Sequence, residues 1–247
     1  MDIGIISLFP EMFRAISDCG ITRRAIENQH VRLHHFNPRD DAPLPHQRVD
    51  DRPYGGGPGM VMQVAPLQAA LGRAKNQLGD KTPVIALSPQ GQLLSQSVLQ
   101  QLSSQPKLVF VCGRYEGIDE RFMDFVDLEL SLGDYILSGG ELGAMVIIDG
   151  IIRLLPGALG DAQSALQDSF SEGLLDHPHY TRPEIINEQV VPSVLLSGDH
   201  QAINRWRSQQ ALGRTWLKRP DLLEKMTLSA EQQLLLDEFI KEHMGSS

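Results

Sequence analysis

Cysteine is almost absent. Cys19 and Cys112 are the only two among 247 residues, too few for a disulfide framework. No group of cysteines and histidines has zinc-site spacing, so no metal site is expected. Such usage fits a reducing cytoplasm, the expected location. Long apolar runs are missing too. The most apolar window, Leu142 to Leu159, holds Asp149 and Arg153. Each would cost roughly 3 kcal/mol at a bilayer centre, so the window reads as core and no membrane partner is expected. Met1 to Pro10 has no basic start and is too short for a secretory leader. An excess of positive charge is also lacking. The net charge of −9 argues against general affinity for nucleic acid. There is no internal repeat and no low-complexity tract.

What is present allows a large core. Hydrophobic residues make up 41% of a chain long enough for one large domain, or a middling one plus a small one. Ile3 to Leu8 reads as a buried first strand ended by Phe9-Pro10. Glu11 to Ile16 suits a helix, and Val31 to Phe36 a second strand. Asn37 to Pro53 holds four prolines and four aspartates and reads as an extended loop. Pro66 to Gln77 suits a helix, Val84 to Leu87 a strand ending at Ser88-Pro89, Ser95 to Leu102 a helix, and Lys107 to Cys112 another buried strand. This β–α alternation indicates a mostly parallel sheet covered by helices. In such sheets ligands sit beyond the carboxyl ends of strands.

Three glycine-bordered stretches fall at such ends or beside them. Tyr54 to Met60 has three consecutive glycines and then Pro-Gly. It is neither a phosphate loop nor a dinucleotide fingerprint, and it reads as a loop that closes over or beside a ligand. Gly113-Arg114-Tyr115-Glu116-Gly117 sets a cation, an aromatic and an anion on a hinged turn. Arg114 suits a phosphate or carboxylate, and Glu116 a base edge or an ammonium. As a lone pentapeptide it is more often a salt-bridged turn. Leu132 to Met145 frames Tyr135-Ile136-Leu137 with Gly133, Gly139 and Gly140 and could wrap a planar ligand through its main chain.

Beyond Gly157 the pattern changes. Ala158 to Gln167 is small and polar and reads as a linker. The remainder reads as helical, with a capping box at Ser229 to Gln232. Arg153 ends an apolar run and needs a partner or a task. Asp168 reads as a helix N-cap when taken alone. His177 and His179 lie two apart without a third ligand spaced for zinc. From His200 to Arg219 there are five basic residues and no acid, a local basic stretch on an acidic chain.

Together these motifs resemble the bacterial tRNA (guanine-N(1))-methyltransferases of the SPOUT class, the TrmD family. The resemblance runs through Ile6 to Phe13, Tyr54 to Met60, Gly113 to Asp119, Gly133 to Glu141, Arg153 to Gly157, Asp168 to Phe170, Gly173 to Asp176, His177 to Pro183 and Gly213 to Trp216. It implies an α/β fold whose parallel sheet carries a deep trefoil knot, which pattern reasoning alone would not propose. A small, mainly α-helical C-terminal domain follows. The implied division is a catalytic domain over 1–160, a linker over 161–168 and a tRNA-binding domain over 169–247.

The resemblance further implies S-adenosylmethionine held by Leu87, Ser88 and Pro89, by Gly113 and Gly117, and by Leu132, Gly133, Asp134, Tyr135, Ile136, Leu137, Gly139 and Gly140. The implied substrate is the guanosine just 3′ of the anticodon of tRNA, position 37. Asp168 matches the general base and Arg153 its partner. Tyr115 and Glu116 match residues that hold the target base, and Arg114, Tyr54 and Ser169 complete the expected substrate side. A homodimer with active sites shared between subunits is implied, and Mg²⁺ belongs to the same set of implications. Two small departures are Gly143, where a proline is expected, and Gln63, where Met or Leu is commoner. The rival readings are a tRNA- or rRNA-binding protein without catalysis and a Rossmann-type enzyme. The second is disfavoured because Phe9-Pro10-Glu11 stands where a glycine-rich turn would follow the first strand.

Overall fold

The structure is a computed structural model that describes residues 1–159, 168–171 and 173–245. It divides into two units, Met1–Ala162 and Gln163–Ser247. The expected linker, apart from Ala158, Leu159 and Asp168, lies outside the described residues.

The first unit is built on five parallel strands: β1 (Asp2–Ile6), β2 (Arg32–Phe36), β3 (Val84–Leu93), β4 (Lys107–Cys112) and β5 (Leu128–Ser131). Their order across the sheet is β2-β1-β4-β3-β5. β4 pairs with both β1 and β3, so Ile5 and Ile85 each face Phe110 across the ladder. The run Leu108 to Cys112 is apolar throughout because both faces of the sheet are covered. Leu108, Phe110 and Cys112 join one core with Ile147, Ile148 and Ile151. Val109 and Val111 join the other with Leu67, Leu71 and Leu78.

Helices α1 (Gly20–Glu27), α2 (Val64–Leu78), α3 (Gln96–Ser103) and α4 (Glu141–Leu154) cover those faces. α3 begins where Ser95 Oγ accepts from Val98 N, an ordinary side-chain cap. α1 and β5 were not expected from the sequence. Glu11 to Ile16 is not one helix but a 3-10 turn, Pro10–Phe13, followed by a single α turn, Arg14–Ser17.

The strand expected to stop at Leu87 does not. It leaves the sheet after Leu87 and returns at Gln92, so that Leu130 of β5 faces both residues. Ser88 to Gly91 form the detour. Pro89 has no N–H to give a ladder, which is why a break is legible there while the return is not.

In the second unit, α5 (His200–Lys218) and α6 (Ala230–Gly245) pack together. Leu212, Leu235 and Leu236 form its buried centre. Asp199 caps α5 by accepting from Gln201 N and Ala202 N. The capping box is present as expected: Ser229 Oγ accepts from Gln232 N, and Gln232 Oε1 accepts from Ser229 N. Ile185–Ile186 and Gln189–Val190 form a short antiparallel hairpin. No described helix is long and apolar enough to cross a membrane.

Candidate active site

Three turns follow the carboxyl halves of neighbouring strands, and the sheet order brings them together. They are the detour Ser88 to Gly91, the turn Gly113 to Gly117, and the segment Leu132 to Gly140. Gly140 N donates to Gly113 O at 2.9 Å. Arg114 and Gly139 form an isolated antiparallel bridge. The approach is too close for a side chain, since a Cβ on Gly140 would lie 2.9 Å from Cys112 Cα and 3.2 Å from Gly113 N. The loop Tyr54 to Met60 is tied in from the side. Glu116 N donates to Met60 O and Met62 N to Gly117 O, both at 2.9 Å.

These turns enclose a cavity of about 520 Å³. That is within the range of ordinary small-molecule sites. Of the thirteen residues expected to bind the cofactor, twelve line it: Leu87, Ser88, Pro89, Gly113, Gly117, Leu132, Gly133, Tyr135, Ile136, Leu137, Gly139 and Gly140. The thirteenth, Asp134, is exposed and is not among the lining residues. Arg114, Tyr115 and Glu116 also line it. Tyr115 adopts a left-handed φ of 62°, which aims a bulky residue out of the turn at a conformational cost.

The charge in the cavity is lopsided. Glu116, Glu120 and Glu129 reach its wall, and Arg114 is the one cation among the described residues that line it. Arg114 already has a carboxylate partner. Its Nε lies 2.8 Å from Glu141 Oε2, and Glu141 is wholly buried. Ser7 Oγ at the end of β1 donates to the other oxygen, Oε1, at 2.8 Å. Arg114 Nη1 donates to Ser138 O, and the guanidinium sits over the Phe9 ring at 4.5 Å. Glu141 is the first residue of α4, where the helix dipole favours an anion. The salt-bridged turn is present, and an anionic ligand would share this guanidinium with Glu141. Burial pushes the Cys112 thiol well up, so beside this cavity it is an inert apolar group.

The remaining expected residues are not among those that line this cavity. Tyr54 is fully exposed on the glycine loop. Arg153 is in the last turn of α4, on the same helical stripe as the exposed Leu142 and Val146, and does not line the cavity. Asp168 and Ser169 belong to the second unit. No described helix begins at Asp168. Its carbonyl accepts from Ser171 N in a tight turn, while Ser169 Oγ accepts from Asp176 N at 2.9 Å.

The sequence pattern of one family, described as tRNA (Guanine-1)-methyltransferase TrmD, matches residues 1–225. The chain belongs to the TrmD family. A relative named tRNA (guanine-N(1)-)-methyltransferase from Idiomarina loihiensis is 58% identical over 98% of this chain and 96% of its own length. One of the same name from Nitrosococcus oceani is 59% identical over 99% and 98%. The crystal structure of tRNA (m1G37) methyltransferase from Aquifex aeolicus superposes with a TM-score of 0.74 at 37% identity, covering 91% of this chain and 95% of that one.

Within this family member, Gly143 stands where a proline is expected. It is the third residue of α4, whose N–H has no partner inside the helix, so either residue fits. Its missing side chain faces Leu87 and Leu132 across the cavity wall. Sequence reasoning missed Gln90, Glu120 and Glu129 as wall residues. The alternation Leu128-Glu129-Leu130-Ser131 is the signal that could have found Glu129, since it puts Glu129 and Ser131 on one face of a strand.

The basic stretch also needs correcting. Positions 207, 214 and 218 fall on one side of α5 and positions 205 and 219 on another, by 100° per residue. Arg205 pairs with Glu238 at 2.6 Å and Arg219 with Asp221 at 2.7 Å. Among the described residues, the side without an ion pair is therefore Arg207, Arg214 and Lys218, and no single basic face spans all five.

Proposed function

We propose that the protein transfers a methyl group from S-adenosylmethionine to N1 of the guanosine at position 37 of tRNA, and that the cavity between the three turns holds the methyl donor. The observation that carries this reading is the cavity's charge. Three carboxylates and one already-paired arginine suit a ligand bearing sulfonium and ammonium charges, and disfavour a phosphate-rich dinucleotide. The glycine-bordered main chain offers N–H and C=O groups to a base edge, and Leu87, Ile118 and Leu132 offer apolar cover. Bound there, S-adenosylmethionine supplies an electrophilic methyl group. The trefoil knot belongs to the same reading. It is supported by how closely the 132–140 segment is drawn against the 113–117 turn.

The chain's own residues supply the rest. Guanine N1 carries a proton and is a poor nucleophile. Asp168 accepts that proton as N1 attacks, and Arg153 steadies the charge that grows on O6. Tyr115 and Glu116 hold the target base, which has left its stack. Arg207, Arg214 and Lys218 meet the tRNA backbone, so affinity falls with added salt.

Arg153 gives this site its dimeric form. Twelve residues of helix separate it from Glu141, about 18 Å at 1.5 Å per residue, so it cannot reach the cavity at the other end of its own α4. A second copy can deliver it. Leu142 and Val146 are 45% and 51% exposed on the stripe that carries Arg153, as expected of a face covered by a partner subunit. Asp168 is supplied in the same way. Two free cysteines and a tRNA substrate support a cytoplasmic location.

Labelled S-adenosylmethionine with unmodified tRNA tests the reading. Wild type is expected to label N1 of that guanosine. Asp168→Ala is expected to lose about 10²–10⁴-fold in turnover while still binding S-adenosylmethionine. Turnover near wild type would remove Asp168 from the chemistry. Retention of tRNA with no label would favour a binding protein that lost catalysis.

A further inference from the structure

We propose that Asp176, His177 and His179 form a binding site for a divalent transition metal of the zinc and cobalt type. The site is independent of the methyl-transfer reading. Spacing alone sets zinc aside, because two histidines two apart lack a third ligand. The fold supplies it from the residue next door. One ligand atom from each of the three residues lies within 4.8 Å of the others.

The separations fit an ion. Ligand atoms about 2.0–2.1 Å from a tetrahedral zinc stand roughly 3.3 Å apart. Here His179 Nε2 lies 2.8 Å from Asp176 Oδ2, and His177 Nε2 lies 3.7 Å from Asp176 Oδ1. An ion would replace the hydrogen bond between His179 Nε2 and Asp176 Oδ2 and draw the three ligand atoms, which already lie within 4.8 Å of one another, to that spacing. The second observation concerns His177 alone. Its Nδ1 is 3.2 Å from the Pro178 carbonyl, the outer-shell contact that fixes a metal-binding tautomer. Its Nε2 is then left with a lone pair, facing a carboxylate oxygen too distant for a hydrogen bond.

The support is preorganised. His177 is 13% exposed and Asp176 25%. Asp176 N is held by Ser169 Oγ, and Asp176 Oδ1 accepts from His177 N at 2.7 Å. The imidazole ring centres lie 4.5 Å apart with the planes tilted by 45°, and His179 remains open to solvent. Two imidazoles and one carboxylate favour zinc, cobalt, nickel or copper over magnesium, and leave a fourth position for water. An ion there would pin the start of the proline-bounded segment His177 to Pro183.

Trp206 reports on the site, since its ring lies 6.4 Å from that of His177. Titrating Co²⁺ into the full-length protein is expected to give d–d absorption bands and quench Trp206, both saturating at one ion per chain, with Zn²⁺ reversing both. His177→Gln and the near-isosteric Asp176→Asn are each expected to weaken binding by on the order of 10- to 100-fold. His46→Gln, at a histidine of the first unit, is expected to change nothing. Absence of a saturable signal, or equal signals in wild type and both site variants, would overturn the proposal.

Discussion

The two units contain arginine–carboxylate pairs of the same chemistry in opposite surroundings. In the first, Arg114 meets a Glu141 that has no exposed surface; Ser7 donates to Oε1, while Oε2 is satisfied by the ion pair alone. In the second, Arg205 meets Glu238 and Arg219 meets Asp221 with about half of each arginine side chain in water. The buried pair joins the end of β1, the turn after β4 and the start of α4, so its geometry fixes the cavity wall. The surface pairs fix little and mainly cancel positive charge. An ion pair is worth what its surroundings make it worth: removing one partner of a buried pair strands a desolvated charge, while an exposed pair is screened.

Glu141→Ala should therefore have the largest effect, about 3–5 kcal/mol lost from the first unit, because it leaves Arg114 buried without its anion. Urea denaturation with a probe in that unit measures it. Arg114→Met with Glu141→Leu should recover most of the loss, and failure to recover would show that the pair does more than satisfy itself.

The second unit is held by packing rather than charge. A Cβ on Gly213 of α5 would overlap the Phe239 ring of α6. Gly213→Ala should cost about 1–3 kcal/mol from overpacking, opposed by about 1 kcal/mol of helix preference. Melting of the second unit should move while S-adenosylmethionine binding to the first does not. Glu238→Gln should have the smallest effect, about 0–1 kcal/mol, vanishing in high salt. A loss as large as that of Glu141→Ala would erase the contrast between the units.

Much of this was legible in the sequence, and the gaps have physical causes. The β4 strand and the Ser95 and Ser229 caps carry local signals, a run of apolar residues and a hydroxyl at the right offset. β5 was missed because Leu128 to Ser131 has no β-branched or aromatic residue to raise its strand preference. The return of β3 at Gln92 was hidden behind Pro89. The cavity-binding turns were found through their glycines and the family resemblance. The Arg114–Glu141–Ser7 group was not found, because its contacts span 27 and 134 positions and leave no trace in spacing. The basic stretch misled for the same reason, since Glu238 lies 33 residues from Arg205.

The central claim is that S-adenosylmethionine occupies the cavity where Gly140 meets Gly113. Calorimetric titration of wild type and Gly140→Ala tests it most directly, with circular dichroism confirming that the variant is folded. Wild type should bind one molecule per chain, and the added methyl group, with backbone on one side and Leu87 on the other, should abolish measurable binding. Equal affinity in a folded variant would place the methyl donor somewhere else.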